Sequence, residues 1–381
     1  MFSLPLRPAA ALLSRKVLAQ NLKRIQREVK TQTQLHRPDA RVMAMVKADA
    51  YGHDLSLILP ELWKIGVRDF AVASLSEGIQ ARELSSKARI LILGGTFDWR
   101  KVSLDVLRKN QFEVAVNDLA SLKILLTRPD IPFHLKLDTG MNRLGLKPDQ
   151  WEQAIGMLRR AKRKPNGLFM HFAMSTGSSY RNQVMLFEEA VRWFWTSGCD
   201  AEWVHSENSG ALFTSEKVEK GLVSQVGNLC RPGISLYGYT SRDLKPIQGI
   251  SPVLELVSEI GLVKNVEKGE GISYGHLYRA NKSHRYGVVP LGYADGISKM
   301  YANLMEPEWR SRSGKRKGSL KVCGAICMDM VMVRAERGEI KPHDRVAFWG
   351  RFPNPMLQER LVEPYELNLR LAKRLPRLWV D

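Results

Sequence analysis

Two hydrophobic periodicities alternate along most of the chain. Leu18, Leu22, Ile25 and Val29 follow one another at spacings of four, three and four, the stripe of one helix face, and Arg41 to Val46 (RVMAMV) follows as a short apolar run of strand length. That order repeats. Further apolar runs occur at Phe70 to Ala73, Ile90 to Leu93, Phe112 to Val116, Phe133 to Leu137, Leu168 to Phe172, Trp203 to His205 and Leu229 to Tyr237, with helix-like stretches between most of them. Eight strands joined by helical crossovers over about 240 residues predict an α/β fold, and a closed (β/α)8 TIM barrel fits that length better than an open doubly wound sheet.

From about Pro252 the texture changes. Val253 to Val263, Tyr286 to Leu291, Leu320 to Val333 and Asp344 to Trp349 are β-rich and separated by Gly, Pro and charged turns, so a second, mostly β domain is expected. The turn-rich stretch Gly238 to Ser251 marks the change, which divides the chain into a barrel over residues 1–245 and a β domain over residues 246–381.

Composition narrows the class. The 381 residues suffice for two domains with their own cores, and 44% hydrophobic with 25% charged residues is ordinary globular usage. Cys199, Cys230, Cys323 and Cys327 are too few and too unevenly spaced for a disulfide framework, which points to a reducing compartment and a cytoplasmic protein. No run of about 20 apolar residues exists to span a membrane. The N-terminal apolar run is brief and broken by Arg7 and Pro8, so it reads as mature protein rather than a secretory signal. The net charge of +19 raises the question of a polyanionic partner. Its densest stretch, Arg310 to Lys321, reads as a solvated face, and no nucleic-acid or membrane partner is expected.

A barrel of this kind builds its active site at the C-terminal ends of its strands. Those ends carry Lys47 (VKADAYGH), Lys136, Asp138 and Arg143 (KLDTGMNRLG), His171, His205, Asn208 and Ser209 (HSENSG), and Arg231 (CRPGISLYGY). Two lysines, two histidines and two arginines at one mouth describe a site that binds an anion and moves protons. Lys47 closes an apolar strand, where desolvation and cationic neighbours would lower its pKa and make the amine a nucleophile; a snorkelling surface lysine is the plain alternative. Tyr51 and Gly52 favour the functional reading, since a hydroxyl and bare backbone suit a phosphate. Pro232 and Gly233 after Arg231 form a rigid turn whose amides can approach an anion. Cys323 and Cys327 have no second pair at metal-ligand spacing and read as strand residues, not as a zinc site.

Together these segments resemble the alanine racemases. VKADAYGH, KLDTGMNRLG, HSENSG, CRPGISLYGY, ISYG, GYADG, CMDM and PYEL occur in the family's order and with similar spacing over nearly the whole chain. The resemblance implies an isomerase, a homodimer with shared active sites, and pyridoxal 5'-phosphate held by Lys47 as a Schiff base. Lys47 would be the base on one face of the substrate Cα, and Tyr274 of the partner subunit the base on the other, because inversion needs a proton removed on one side and returned on the opposite one. A chain through His171, Arg231 and His205 would support that phenol. Arg231 would face the pyridine nitrogen and disfavour its protonation.

The resemblance also assigns the phosphate to Tyr51, Ser209, Gly233, Ile234 and Tyr365, with Asn208 close by, and the phenolic oxygen to Arg143. Lys136 matches a position carbamylated in many members, where the added carboxylate orients that arginine. Met328 would meet the substrate carboxylate through its backbone, with Asp329 beside it, and Tyr293 with Tyr365 would form an inner gate suited to alanine. D-alanine for peptidoglycan is the implied purpose. Two positions depart from the family pattern: Asp49 replaces the commoner Asn, and Glu207 stands where a small residue is usual. Two extra acids near the mouth would favour a racemase of broader specificity. A cofactor carrier without catalysis lacks the ISYG segment, and a decarboxylase of this fold would need a substrate-side cysteine motif that Cys327 does not provide.

Overall fold

The computed structural model describes residues 6–31, 40–94, 101–214, 221–240, 244–336, 338–351 and 363–381. It divides into two compact units, residues 19–250 and residues 1–18 with 251–381.

The chain opens with a short strand, β1 (Ala9–Leu13), and then enters the barrel. Eight parallel strands follow: β2 (Arg41–Met45), β3 (Asp69–Val72), β4 (Arg89–Ile92), β5 (Glu113–Val116), β6 (Phe133–Lys136), β7 (Gly167–Phe169), β8 (Trp203–His205) and β9 (Leu229–Cys230). They pair in the order β8-β7-β6-β5-β4-β3-β2-β9. The ring closes between its ends through the Asn228 amide on the Val204 carbonyl (3.1 Å) and the Arg231 amide on the Glu207 carbonyl (2.8 Å). The strands are apolar because both faces are covered, by the barrel interior and by the surrounding helices. Each begins close to where the hydrophobic pattern places it. The exception is the last: the run Leu229 to Tyr237 is strand only at β9, because Pro232 removes a donor and residues 234–238 turn.

The other unit is built on a nine-stranded sheet. Its strands are β1, β10 (Leu254–Glu259), β11 (Leu262–Val266), β14 (His284–Val289), β15 (Glu308–Arg310), β16 (Lys317–Val322), β17 (Val331–Ala335), β18 (Arg345–Trp349) and β19 (Arg377–Trp379), with a small hairpin of β12 (Gly271–Ile272) and β13 (Tyr278–Arg279). The order is β11-β14-β17-β16-β15-β18-β10-β1-β19. β1 therefore lies between β10, antiparallel, and β19, parallel, and all five of its residues are buried.

One sequence reading changes here. The β-rich stretch Leu320 to Val333 holds the end of β16 and the start of β17. Gly324, at φ 86°, ends β16, so Cys323 lies just past that strand and Cys327 sits in the turn before β17, with its amide on the Met330 carbonyl. Neither cysteine is a strand residue. Among the described residues no helix is long and apolar enough to cross a membrane.

Candidate active site

Lys47 follows β2 by two residues, and the chain then does what L-residues rarely do. Ala48, Asp49, Ala50 and Tyr51 all have φ between 52° and 55°, one turn of left-handed helix. Each such residue costs roughly 1–2 kcal/mol, so the turn persists only because its surroundings over-determine it. The Ala50 amide donates to the Val46 carbonyl (3.0 Å), the Ala48 amide to Glu77 Oε1 (2.7 Å), and the Leu55 amide to Asp49 Oδ1 (2.7 Å). One Asp49 carboxylate oxygen is thus used on the backbone, while the side chain stays exposed and its charge reaches Tyr237.

The Tyr51 ring stacks on Tyr237 with centroids 5.1 Å apart. Its hydroxyl sits so close to Gly233 that a Cβ there would lie 2.5 Å from it. The Gly233 amide (3.0 Å) and the Ser235 amide (3.2 Å) both donate to Ser209 Oγ, which Ser235 Oγ also meets at 3.0 Å. Asn208 caps the short helix Ser209–Leu212 through the Ala211 amide (2.9 Å). Tyr51, Ser209, Gly233 and the adjoining Ile234 thus form a small cradle of hydroxyls and amides, neutral donors of the kind a phosphate needs.

A cluster of cations faces one another nearby. Burial and then Arg143 lower the Lys47 pKa, with Glu77 opposing. Lys136 falls to about 8 through burial, Arg143 and Arg231, against Asp138. His171 falls to about 3 through burial, Arg231, Arg143 and the two lysines. The side chains of Lys47, Lys136 and His171 have no hydrogen-bond partner among the described residues. A Schiff-base lysine must lose its proton before it attacks a carbonyl, and this crowding favours the neutral amine. With the glycine-lined cradle, the donor set fits a phosphorylated aldehyde cofactor.

Arg231 is buried, and four of its five donors are satisfied. Nη1 meets the His205 carbonyl (2.9 Å) and His205 Nδ1, and Nη2 meets the carbonyls of Met170 (2.6 Å) and Ser206 (3.2 Å). The chain then continues past any residue the sequence singled out: His205 Nε2 bonds His134 Nδ1 (2.8 Å), and His134 Nε2 bonds Glu113 Oε2 (2.7 Å). His171 is not hydrogen-bonded into it.

Glu207 lies two residues past β8, beside Arg231, whose amide donates to its carbonyl (2.8 Å), and it is 3% exposed. Ser206 Oγ donates to its Oε1 (3.2 Å), while Oε2 has no partner among the described residues. Burial raises its pKa to about 7, against the pull of Ser206 and Arg231.

Tyr274, Tyr293, Met328, Asp329 and Tyr365 belong to the other unit. Tyr274 opens a 3-10 turn after Ser273 and is 76% exposed. The amides of Tyr293 and Ala294 donate to the carbonyls of Cys327 and Met328, both at 3.0 Å, so the GYADG and CMDM segments pack as a pair. Asp329 is paired with Arg374 (2.6 Å), which also holds the buried Asp295 (2.8 Å). Tyr365 lies half-buried on the helix Pro364–Leu369. Leu277, Met300, Leu304, Met328 and Met330 of the same unit are also exposed, and Met330 lines a surface pocket with Tyr274. Asn303 ties part of that unit together, donating to the Leu277 carbonyl (3.1 Å) and accepting from the Gly324 amide (2.8 Å).

Comparison with known proteins agrees with this architecture. Residues 20–241 match the family model for the alanine racemase N-terminal domain, and residues 253–379 that for the alanine racemase C-terminal domain. The chain is 34% identical to an alanine racemase of Geobacter sp. (strain M21) over 359 residues, covering 88% of this chain and 90% of that one. Among solved structures, the alanine racemase of a D-cycloserine producing Streptomyces lavendulae superposes with a TM-score of 0.84 at 25% identity, covering 100% of this chain and 98% of that one. The Bartonella henselae enzyme, solved with covalently bound pyridoxal phosphate, superposes at 0.81 with 21% identity, covering 98% and 99%.

Proposed function

Since the chain belongs to the alanine racemase family, we propose that it interconverts L- and D-alanine by a two-base exchange at Cα, with pyridoxal phosphate held by Lys47, and so supplies D-alanine for peptidoglycan. The observation that carries this reading is Lys47, an amine with a lowered pKa and no hydrogen-bond partner among the described residues, beside a Tyr51, Ser209 and Gly233 cradle. The covalently bound cofactor of the Bartonella henselae relative supports it.

Bound pyridoxal phosphate would supply a conjugated, electron-withdrawing ring that acidifies the substrate Cα–H. This chain's residues do the rest. Lys47 carries the cofactor and, as a neutral amine, takes or returns the Cα proton on one face. Tyr274 of the partner subunit does so on the other. Tyr51, Ser209, Gly233 and Ile234, with Asn208 and Tyr365, bind the phosphate. Arg143 binds the phenolic oxygen, and Lys136, once carbamylated, holds Arg143 in place. Arg231 has only its Nε–H uncommitted among the described residues, and that donor addresses the pyridine nitrogen. A guanidinium there is a fixed cation that resists sharing its proton, so it would disfavour protonation of the ring nitrogen and temper electron withdrawal. His205 supports Arg231, and His171 serves the tyrosine.

The partner is a second copy of the chain. The unit that carries Tyr274 also exposes Leu277, Met300, Leu304 and Met330, and exposed apolar surface of that kind marks an interface. Met328 and Asp329 reach the substrate side from the same unit, and Tyr293 with Tyr365 narrow the entrance. A broader racemase draws its case from Asp49 and Glu207, but one Asp49 oxygen accepts from the Leu55 amide and Glu207 is buried, and the family match favours alanine as the substrate. A dimer of this kind works in the cytoplasm.

The test is a time course of D-alanine formation from L-alanine by purified protein with added pyridoxal phosphate, with L-serine and L-lysine in parallel and Lys47→Ala as control. Alanine turnover lost in the variant is the expected result. A visible Schiff-base band with no racemisation of any amino acid would sink the assignment.

A further inference from the structure

The barrel interior holds two histidines, His134 and His205, both fully buried and bonded to each other. The chain they form has an acceptor-only end and a donor-only end. Glu113 holds a carboxylate that accepts, with Oε2 on His134 Nε2 (2.7 Å) and Oε1 3.4 Å from Arg89 Nε. Arg231 can only donate. Between these ends, two neutral imidazoles can satisfy all three hydrogen bonds in a single way. His134 carries its proton on Nε2, facing Glu113, and offers the Nδ1 lone pair to His205. His205 carries its proton on Nε2 and offers its Nδ1 lone pair to Arg231. Reversing the direction would aim a proton at a guanidinium that has no lone pair. An added proton would set two donors facing each other at some link.

The fold makes room for this arrangement. In the register of β6 with β7, His134 pairs with Gly167. A Cβ at Gly167 would lie 2.1 Å from His134 Nδ1, so the imidazole occupies the space a side chain would need. Phe169 stacks on His205, with ring planes 2° apart and centroids at 4.8 Å, and fixes the plane in which Nδ1 points. Arg89 stands on the far side of Glu113 at 3.4 Å and keeps that carboxylate charged.

We propose that Glu113 and His134 are positioning residues that hold His205 as the Nε2–H tautomer, so that its Nδ1 lone pair and the surrounding carbonyls fix Arg231 with its one remaining donor, Nε–H, turned to the cofactor ring. This rests on the assignment of Arg231 to the pyridine nitrogen given above. Neither residue touches substrate or cofactor. Their effect is transmitted through His205, and it is the tautomer that is transmitted.

The experiment compares His134→Phe with His134→Gln and Glu113→Gln. Phenylalanine comes nearest to the shape of the imidazole but leaves His205 Nε2–H without an acceptor. Glutamine is less like it in shape, yet its amide offers an oxygen to His205 and an N–H to Glu113. A packing role predicts that Phe is the milder change, whereas a positioning role predicts that Gln is. The first readout is the His205 tautomer in apo protein, by 15N NMR of labelled histidine. Wild type should be Nε2–H throughout pH 5–9, His134→Gln the same, and His134→Phe a mixture.

The second readout is titration of apo protein with pyridoxal phosphate together with steady-state rates. His134→Phe should lose roughly tenfold or more in cofactor affinity and kcat at little change in KM, the scale seen when the hydrogen-bond partner behind a metal-binding histidine is removed. His134→Gln should recover most of that. Glu113→Gln, which keeps the fold if Phe does not, should loosen the tautomer without an added cavity. A wild-type-like tautomer in both His134→Phe and Glu113→Gln, or Phe milder than Gln, overturns the proposal. If wild type binds no pyridoxal phosphate, the cofactor reading fails instead, and the apo-protein tautomer still reports on the chain.

Discussion

The substitution Glu207→Gln should stabilise the protein in a way that grows with pH. The carboxyl moves from 4.5 to about 7 on folding because it is buried with one oxygen unpartnered among the described residues. Between those values the folded state binds the proton more tightly than the unfolded chain does. Stability is therefore full below about pH 4.5 and is lost as pH rises through about 7. At about 1.4 kcal/mol per pH unit, the whole window is worth about 3 kcal/mol, of which only about 1 kcal/mol is gone by pH 5. A glutamine side chain has the same shape, can keep the Ser206 contact and carries no charge at any pH. The variant should exceed wild type by about 1 kcal/mol at pH 5 and by about 3 kcal/mol at pH 8, a widening of roughly 5 °C or more in melting temperature for a unit of this size. The assay is thermal unfolding of both proteins at pH 5, 6, 7 and 8, reading the difference so that other titrating groups cancel. Melting temperatures that run parallel across the range, or a gap that is widest at pH 5, would refute the reasoning.

Other consequences follow from the same geometry. Gly233→Ala places a Cβ 2.5 Å from the Tyr51 hydroxyl, and overpacking of this kind costs about 1–3 kcal/mol; a titration should show pyridoxal phosphate binding weakened roughly tenfold with the fold intact. At a pKa of about 8, roughly a quarter of Lys136 amines are neutral at pH 7.5, so 13C-bicarbonate should give a carbamate signal by NMR that fades below pH 7 and is missing in Lys136→Ala. No signal at pH 8 would remove that modification. Paired Met300→Asp and Leu304→Asp changes put charge on the exposed apolar surface and should yield a monomer by sedimentation, with racemisation down by more than about tenfold and circular dichroism unchanged. A persistent dimer would place the interface elsewhere.

The barrel was legible because its strands are short apolar runs with a helical crossover after most of them, so periodicity alone locates them. The site was legible where chemistry sits at strand ends, as with Lys47, Lys136, His205 and Arg231. Other features leave little local trace. His134 sits in FHLKLD like any strand histidine, and its meaning depends on the register that sets it against Gly167, 33 residues on. Nothing in KADAY announces four left-handed residues; the turn is imposed by Glu77 and the Val46 carbonyl. β1 reads as a brief apolar run, since its partners lie some 240 and 360 residues away. The burial of Glu207 was not legible because burial is a property of neighbours, not of the motif.

β1 also sets an order on synthesis. Its residues leave the ribosome first, yet β10 begins at Leu254 and β19 at Arg377. At 5–20 residues per second, AAALL waits about 10 to 50 s for its first partner while the barrel is being made. During that interval it is an unpaired apolar strand, the kind of segment that pairs with the wrong neighbour. The barrel can fold as it emerges, but the second unit cannot close until its last strand arrives. Destabilising substitutions in β19 should therefore lower the yield of native protein more than their equilibrium cost alone would suggest.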